Sequence, residues 1–167
     1  MNSYLKYFFY ILKHKWFVLK VGLKLRKYIW KYGEKNISLF QLLIHDLSKF
    51  SPEEFIPYMH KFVIKRMDDS CKESFHQALN HHYNKNKHHA QYWILYENSY
   101  LEIPYRYLQE MVIDWIAASI SYNGKFPDFD NWEWFDNNFN KFKIYTTSKS
   151  EVFKIVESLR KNKNVIL

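Results

Sequence analysis

Four residues of this 167-residue chain have types and spacing that suit joint chemistry: His14, His45, Asp46 and Asp114. His45 and Asp46 are adjacent at the end of the apolar run "LLIHDLSKF", where a charge pair is costly if it is buried and idle. His14 lies 31 residues before His45, and Asp114 lies 68 residues after Asp46. A neutral imidazole binds a divalent ion through one ring nitrogen, and a carboxylate binds one ion or bridges two. One shared cation would satisfy all four groups, so a metal site is the expected reason for their placement. A second cluster, "NHHYNKNKHH", offers His81, His82, His88 and His89. His82 falls on the apolar stripe of its segment and is the best candidate there for a functional role. His88 is preferred to His89 from the connection, and His81 reads as part of a solvated polar stretch.

The elements that must position these residues read as helices. Tyr7, Ile11, His14, Val18, Val21 and Leu25 follow 4-3-4-3-4 spacing within a first helix over about 3–31, and His14 is the one strongly polar member of that face. "YGEKN" breaks the pattern. Ser38 with Gln41 forms an S-x-x-Q capping box that opens a short apolar helix running to about Phe50, so His45 and Asp46 fall late in it. "SPEEF" restarts a helix with Ser51 as N-cap, Pro52 first and Glu54 third. A further helix is expected over about 70–83, and "HHAQYWILYENS" reads as an aromatic helical segment. Pro104 opens a helix with Tyr107, Glu110, Asp114, Ala117 and Ser121 on one face. The region 123–147 reads as an irregular aromatic loop. A last helix over about 149–161 has the box Ser148-x-x-Glu151. No alternating stretch marks a strand, so the expected fold is all-α, one domain over 1–167.

Glu110 sits one turn before Asp114 and is either an acceptor that orients a ligand histidine or a general base. Lys49, three residues past Asp46, is either a phosphate contact or a surface lysine at a helix end. His60 and His76 read as surface residues. Trp93, Trp115, Trp132, Trp134 and Cys71 read as core.

The order His14, then His45–Asp46, then Asp114, on helices, resembles the HD-domain superfamily of metal-dependent phosphohydrolases, whose signature is H…HD…D. "HDLSK" looks like the "HDIGK" form common there. "HKWFV", "HDLSKFSPEEF", "NKHHAQYW" and "EMVIDW" together are similar to a small phage and bacterial family, over roughly residues 10–135. The resemblance implies an HD-like helical bundle holding one or two divalent ions (Mn, Fe, Mg, Zn, Co or Ni). The implied ligands are His14, His45, Asp46, His82, His88 and Asp114, with Asp46 able to bridge. Asp46, Lys49 and Glu110 would serve catalysis, with Lys49 and His89 binding substrate. The implied reaction is hydrolysis of a nucleotide or cyclic nucleotide phosphoester by a metal-activated water. The chain lacks the Gly-Tyr-Pro signature of the cyclic-dinucleotide subgroup, which argues against that substrate. Two other readings stay open: a di-iron oxygenase on the same helices, and a non-catalytic basic binding protein with a structural ion.

Composition bounds these readings. Aromatics make up 20% of the chain, glycine (3) and proline (4) are scarce, and one cysteine excludes a disulfide framework or a Cys-based zinc site. The net charge of +8, with lysines concentrated over 6–35, suits a phosphorylated small molecule, a nucleic acid or an anionic membrane; nucleic acid is not favoured as the primary partner. The longest uncharged run near the N-terminus, "YFFYIL", is far short of the ~20 residues a bilayer span needs, so no transmembrane segment is expected. The cytoplasm is the expected compartment, that of the host if the chain is phage-encoded.

Overall fold

The computed structural model describes residues 2–66, 68–97 and 99–162. The fold is all-α. Among the described residues its helices are α1 (Ser3–Leu25), α2 (Leu39–Ile44), α3 (Pro52–Met59), α4 (Asp69–Lys85), α5 (Tyr105–Asn123), α6 (Glu133–Asn138) and α7 (Thr146–Lys161). One two-stranded antiparallel ribbon, β1 (Ile94–Tyr96) and β2 (Ser99–Tyr100), pairs Ile94 with Tyr100 and Tyr96 with Ser99. The expected helix over "HHAQYWILYENS" is therefore corrected to a 3-10 turn at Ala90–Trp93 followed by this ribbon. The segment holds Ile94 and Tyr96 at alternate positions, which favours an extended chain over helix continuation.

Helix α1 is the organising element. Its six-residue stripe, from Tyr7 to Leu25, is buried throughout. Gly22 lies on the same side, where Leu42 of α2 packs so closely that an added Cβ would stand 2.5 Å from a Leu42 methyl carbon. The C-terminal half of the stripe joins the main core with Leu108, Val112 and Ile116 of α5, Phe135 of α6 and Val152, Ile155 and Val156 of α7. The N-terminal half, Tyr7 and Ile11, joins a smaller core with Tyr58 and Met59 of α3 and Ala78 of α4. His14 sits on the seam between them.

The helix ends differ from expectation in several places. α1 stops at Leu25, with turns following rather than helix to residue 31. Buried Gln109 ties that connection to α5: its amide donates to the Ile29 carbonyl (2.7 Å) and its carbonyl accepts from Ile37 N–H (2.7 Å). This tether sets where α2 begins. The Ser38 hydroxyl accepts from Gln41 N–H as an N-cap should, but the Gln41 side chain turns inward rather than back to the cap. Within 123–147, α6 replaces part of the expected loop, held by a ring cluster in which Trp115 meets Phe139 (5.6 Å) and Phe135 stacks on Phe139 (4.9 Å). Trp132 is core, Trp93 and Trp115 are partly buried against it, and Trp134 is exposed instead. α7 starts at Thr146, so Ser148 is not its cap. The Ser148 hydroxyl instead accepts the buried Ile103 N–H (2.8 Å).

Phe135 is fully buried between α5 and α7. Phe135→Ala should lower unfolding free energy by about 3–5 kcal/mol in urea denaturation, because the ring cluster cannot collapse into the vacated space. A loss under about 1 kcal/mol would mean that α6 is not part of the cooperative core.

Candidate metal centre

His45 and Asp46 do not lie within a helix. α2 ends at Ile44, His45 is extended (φ −48°, ψ 130°), and Asp46 takes the left-handed conformation (φ 54°, ψ 30°) before a 3-10 turn at Leu47–Phe50. Asp is one of the few side chains that tolerates this region, at some cost in strain. Lys15 of α1 donates from Nζ to the Leu43 carbonyl (3.0 Å) and to that of His45, a cation at the C-terminus of α2. The kink turns both His45 and Asp46 into the interior, where they are almost wholly buried.

Two lobes meet at the Asp46 carboxylate. In the first, His14 Nε2 of α1 lies 2.9 Å from Asp114 Oδ1 of α5, and His45 Nε2 lies 3.4 Å from that oxygen. Asp46 Oδ2 faces this lobe, 3.3 Å from His45 Nε2 and 3.9 Å from His14 Nε2. In the second, Asp46 Oδ1 lies 3.5 Å from both His82 Nε2, in the last turn of α4, and His88 Nε2 just beyond it. His89 Nε2 is 2.8 Å from His82 Nε2. The donor atoms of His14, His45 and Asp114 fall within 4.8 Å of one another, as do those of Asp46, His82, His88 and His89.

Three of the outer nitrogens are held by carboxylates. His45 Nδ1 is 2.9 Å from Glu110 Oε1, His82 Nδ1 is 2.8 Å from Glu54 Oε2, and His88 Nδ1 is 3.5 Å from Glu110 Oε1. A carboxylate at Nδ1 fixes the ring and leaves Nε2 as the lone-pair nitrogen turned to the centre. Gln41 Nε2 donates to Glu110 Oε2 (2.5 Å) and pins it in turn. Of the two readings of Glu110, this geometry is that of the orienting acceptor.

Several inward atoms are buried without a hydrogen-bond partner: His14 Nε2, His45 Nε2, Asp46 Oδ1 and His88 Nε2. His14 Nε2 is close to Asp114 but not aligned with it for a hydrogen bond. Buried polar atoms left like this are expensive unless something else satisfies them. Four to five nitrogens and two carboxylates converging on the same space form the donor set of a divalent transition metal. The residues therefore fit one or two such ions.

Electrostatics agree. Burial pushes the His14 ring down and His89 well down, and His82 and His88 beside His89 add to the effect, so both stay neutral as ligands must be. Burial would raise the Asp46 and Asp114 carboxyls, but the neighbouring imidazoles, and Lys49 beside Asp46, hold both well below the usual range. Lys49 is not a surface lysine: its Nζ lies 2.6 Å from Asp46 Oδ2 and it is largely buried. Burial lowers its basicity, but Asp46 and Asp114 more than compensate, so the ammonium is retained.

All six expected ligands thus come together, with His89 joining the second lobe. Two members escaped the sequence reading. Glu54, fully buried, looked like an ordinary first-turn glutamate of α3. His81 is on α4 rather than in a solvated loop, with Nδ1 2.8 Å from Glu54 Oε1. Their one shared signal was adjacency of His81 to His82, which carries no information about a glutamate 27 residues away. His76 is exposed as expected, while His60 is half-buried. Glu54→Gln should weaken binding of an ion in the second lobe by about 10–100-fold and leave the first lobe little changed. Titration with Co²⁺ followed by visible absorption checks this, and equal losses in both lobes would contradict the assignment of Glu54.

Fold and centre together define an all-α protein with a buried, two-lobed His/Asp cluster able to hold metal. The chain belongs to the family of unknown function DUF5662, whose profile matches residues 3–163. Neither the curated proteins nor the solved structures contain a match to it.

Proposed function

We propose that the protein is a metal-dependent phosphohydrolase acting on a nucleotide or cyclic nucleotide phosphoester. The observation that carries this is the Asp46 carboxylate, with one oxygen turned to each of two histidine-rich lobes. Divalent ions at such a centre, when bound, supply water activation near neutral pH and neutralise charge on an attacked phosphoryl group.

The chain's own residues account for substrate binding. A cavity of about 490 Å³ opens onto His45, Asp46, His88 and Glu110, and its rim carries Lys35, Lys85, Lys87 and Arg106. Among the described residues no carboxylate is ion-paired with any of these four cations, while both acids of the cavity are engaged by histidines. Arg106 lies over the Tyr107 ring (4.6 Å) and donates to its hydroxyl (2.9 Å), and Lys87 Nζ stands 5.9 Å from the same ring. Tyr107 thus holds two cations in place at the rim, preorganised for an anionic ligand. Exposed Phe40 offers an apolar surface beside them. Lys49, at Asp46, contributes a further charge close to the lobes. An oxygenase would use the same donors, and the cationic rim calls for an anionic substrate in either reaction.

The test is a screen of metal-loaded protein against nucleoside mono-, di- and triphosphates and cyclic nucleotides, with Asp46→Ala as control. Turnover of at least one phosphoester, lost in the control, is expected. No turnover together with an oxygen-dependent optical change of the iron form would replace this reading by the oxygenase. For the turned-over substrate, Arg106→Gln should raise KM about tenfold with kcat little altered, because the contact forms in the bound substrate as well as in the transition state. A kcat-only effect would move Arg106 to the reacting group.

A further inference from the structure

The positive charge of this chain is not spread evenly. Residues 1–33 hold eight Lys and Arg and no Asp or Glu, and the remaining residues hold 17 of each sign. The whole net charge of +8 therefore belongs to α1 and the turns that follow it.

Helix α1 carries two apolar stripes. The first is the buried one through Tyr7, Ile11, Val18 and Leu25. The second, Leu5, Phe9, Leu12, Trp16 and Leu23, repeats the 4-3-4 spacing on the opposite face, and these side chains are 39–61% exposed. Lys6, Lys13 and Lys20 recur every seven residues along one margin of this outer stripe, and Arg26, just past the helix end, lies at the other. Beside α1, exposed Leu39, Phe40, Leu43 and Leu47 of α2 and the turn after it widen the apolar surface. Monomeric proteins rarely leave a contiguous apolar patch of this extent uncovered.

Charge decides between the occupants. A second copy would set one lysine row against an identical one, a like-charge contact. A nucleic acid would match the lysines, but its phosphates and sugars have no use for a stripe of Leu, Phe and Trp. A bilayer with anionic headgroups matches both: the apolar stripe enters the headgroup–acyl boundary, Trp16 suits that boundary, and the flanking lysines meet the negative surface. No helix among the described residues is long and apolar enough to cross a membrane. We propose that the outer face of α1, extended by α2, docks the protein flat on an anionic membrane surface. Phe40 belongs both to this face and to the rim of the cavity, so docking sets the cavity mouth beside the headgroups.

The experiment is co-sedimentation of the full chain with vesicles of phosphatidylcholine alone and of equimolar phosphatidylcholine and phosphatidylglycerol. Association with the anionic vesicles only, weakening as salt rises, is expected. Leu12→Ser with Trp16→Ser should lower that partition at least about tenfold, since two large apolar contacts are removed. Lys6→Gln and Lys20→Gln should each lower it about fivefold. All four side chains are exposed, and an unchanged circular dichroism spectrum and unfolding midpoint will show that the fold is intact. Equal binding to both vesicle types, or to neither, overturns the proposal. So does a dimer seen by light scattering that the Leu12/Trp16 pair of changes dissociates, which would make a second copy the occupant. Duplex DNA binding that survives the same pair of changes, without vesicle binding, would assign the lysines to nucleic acid.

Discussion

Asp46→Asn should weaken divalent-ion binding in both lobes at once and, under the proposed function, lower phosphoester turnover by about a thousandfold. Asparagine keeps the size of the side chain and tolerates φ 54° as well as aspartate does, so the backbone kink survives. What is lost is a carboxylate with one oxygen to His45 and the other to His82 and His88. Lys49 also loses its 2.6 Å partner and would be left with Asp114 as its compensating charge, which adds repulsion against any metal ion. Metal content after dialysis, measured beside turnover, gives the result. Asp114→Asn is the comparison, because Asp114 Oδ1 lies in the first lobe, 2.9 Å from His14 Nε2 and 3.4 Å from His45 Nε2. If Asp46→Asn retained full occupancy in the second lobe, the bridging role would be wrong.

The second large effect is on stability. An ion at about one hundred times its dissociation constant stabilises the native state by about 2.7 kcal/mol. For a chain of this size that raises Tm by about 5–10 °C. In the metal-free protein His45 is the nearest substitute for the ion. Burial by itself would lower its pKa, but Asp46, Asp114 and Glu110 around it raise the ring well above 6.5. A group raised in the folded state stabilises that state fully below its unfolded pKa of about 6.5 and loses the contribution as pH rises through the folded value. The metal must displace this proton, so binding should release protons and its affinity should climb with pH from 6 upward. Glu110 behaves oppositely. Burial raises it, but His45 and His88 outweigh this and hold it at about 2. Its contribution is therefore present above about 4.5 and is lost as pH falls toward 2. Calorimetry in buffers of different ionisation enthalpy counts the released protons, and thermal melts with and without chelator read the shift. A Tm unchanged by metal between pH 6 and 8 would count against a resident ion.

How much of this was legible in the sequence depends on how local each cause is. The buried stripe of α1 was fully readable, because a 3.6-residue period reports one packed face whatever packs on it. So was His14 as the polar member of that stripe, and His45, Asp46 and Asp114 stood out by their order along the chain. The stop of α2 at Ile44 was not, since no glycine or proline marks it. The break comes at His45, which is extended, and continues in the left-handed backbone of Asp46, neither of which a local pattern marks. The box Ser148-x-x-Glu151 satisfied the pattern for a helix start, yet a distant N–H, that of Ile103, claimed the hydroxyl. Glu54 failed for the same reason: its partners His81 and His82 arrive from α4, and nothing in "SPEEF" announces them.

The seam at His14 bears on how the molecule opens. Tyr7 and Ile11 belong with α3 and α4, whereas Val18 onward belongs with α5 and α7, so one helix is an axle shared by two cooperative units. His82 comes from the smaller unit and Asp114 from the larger, with Asp46 between. An ion in the cluster would rivet the units across the axle. Without it, the α3–α4 unit should be the first to exchange its amide hydrogens with solvent, by local opening well below the free energy of global unfolding.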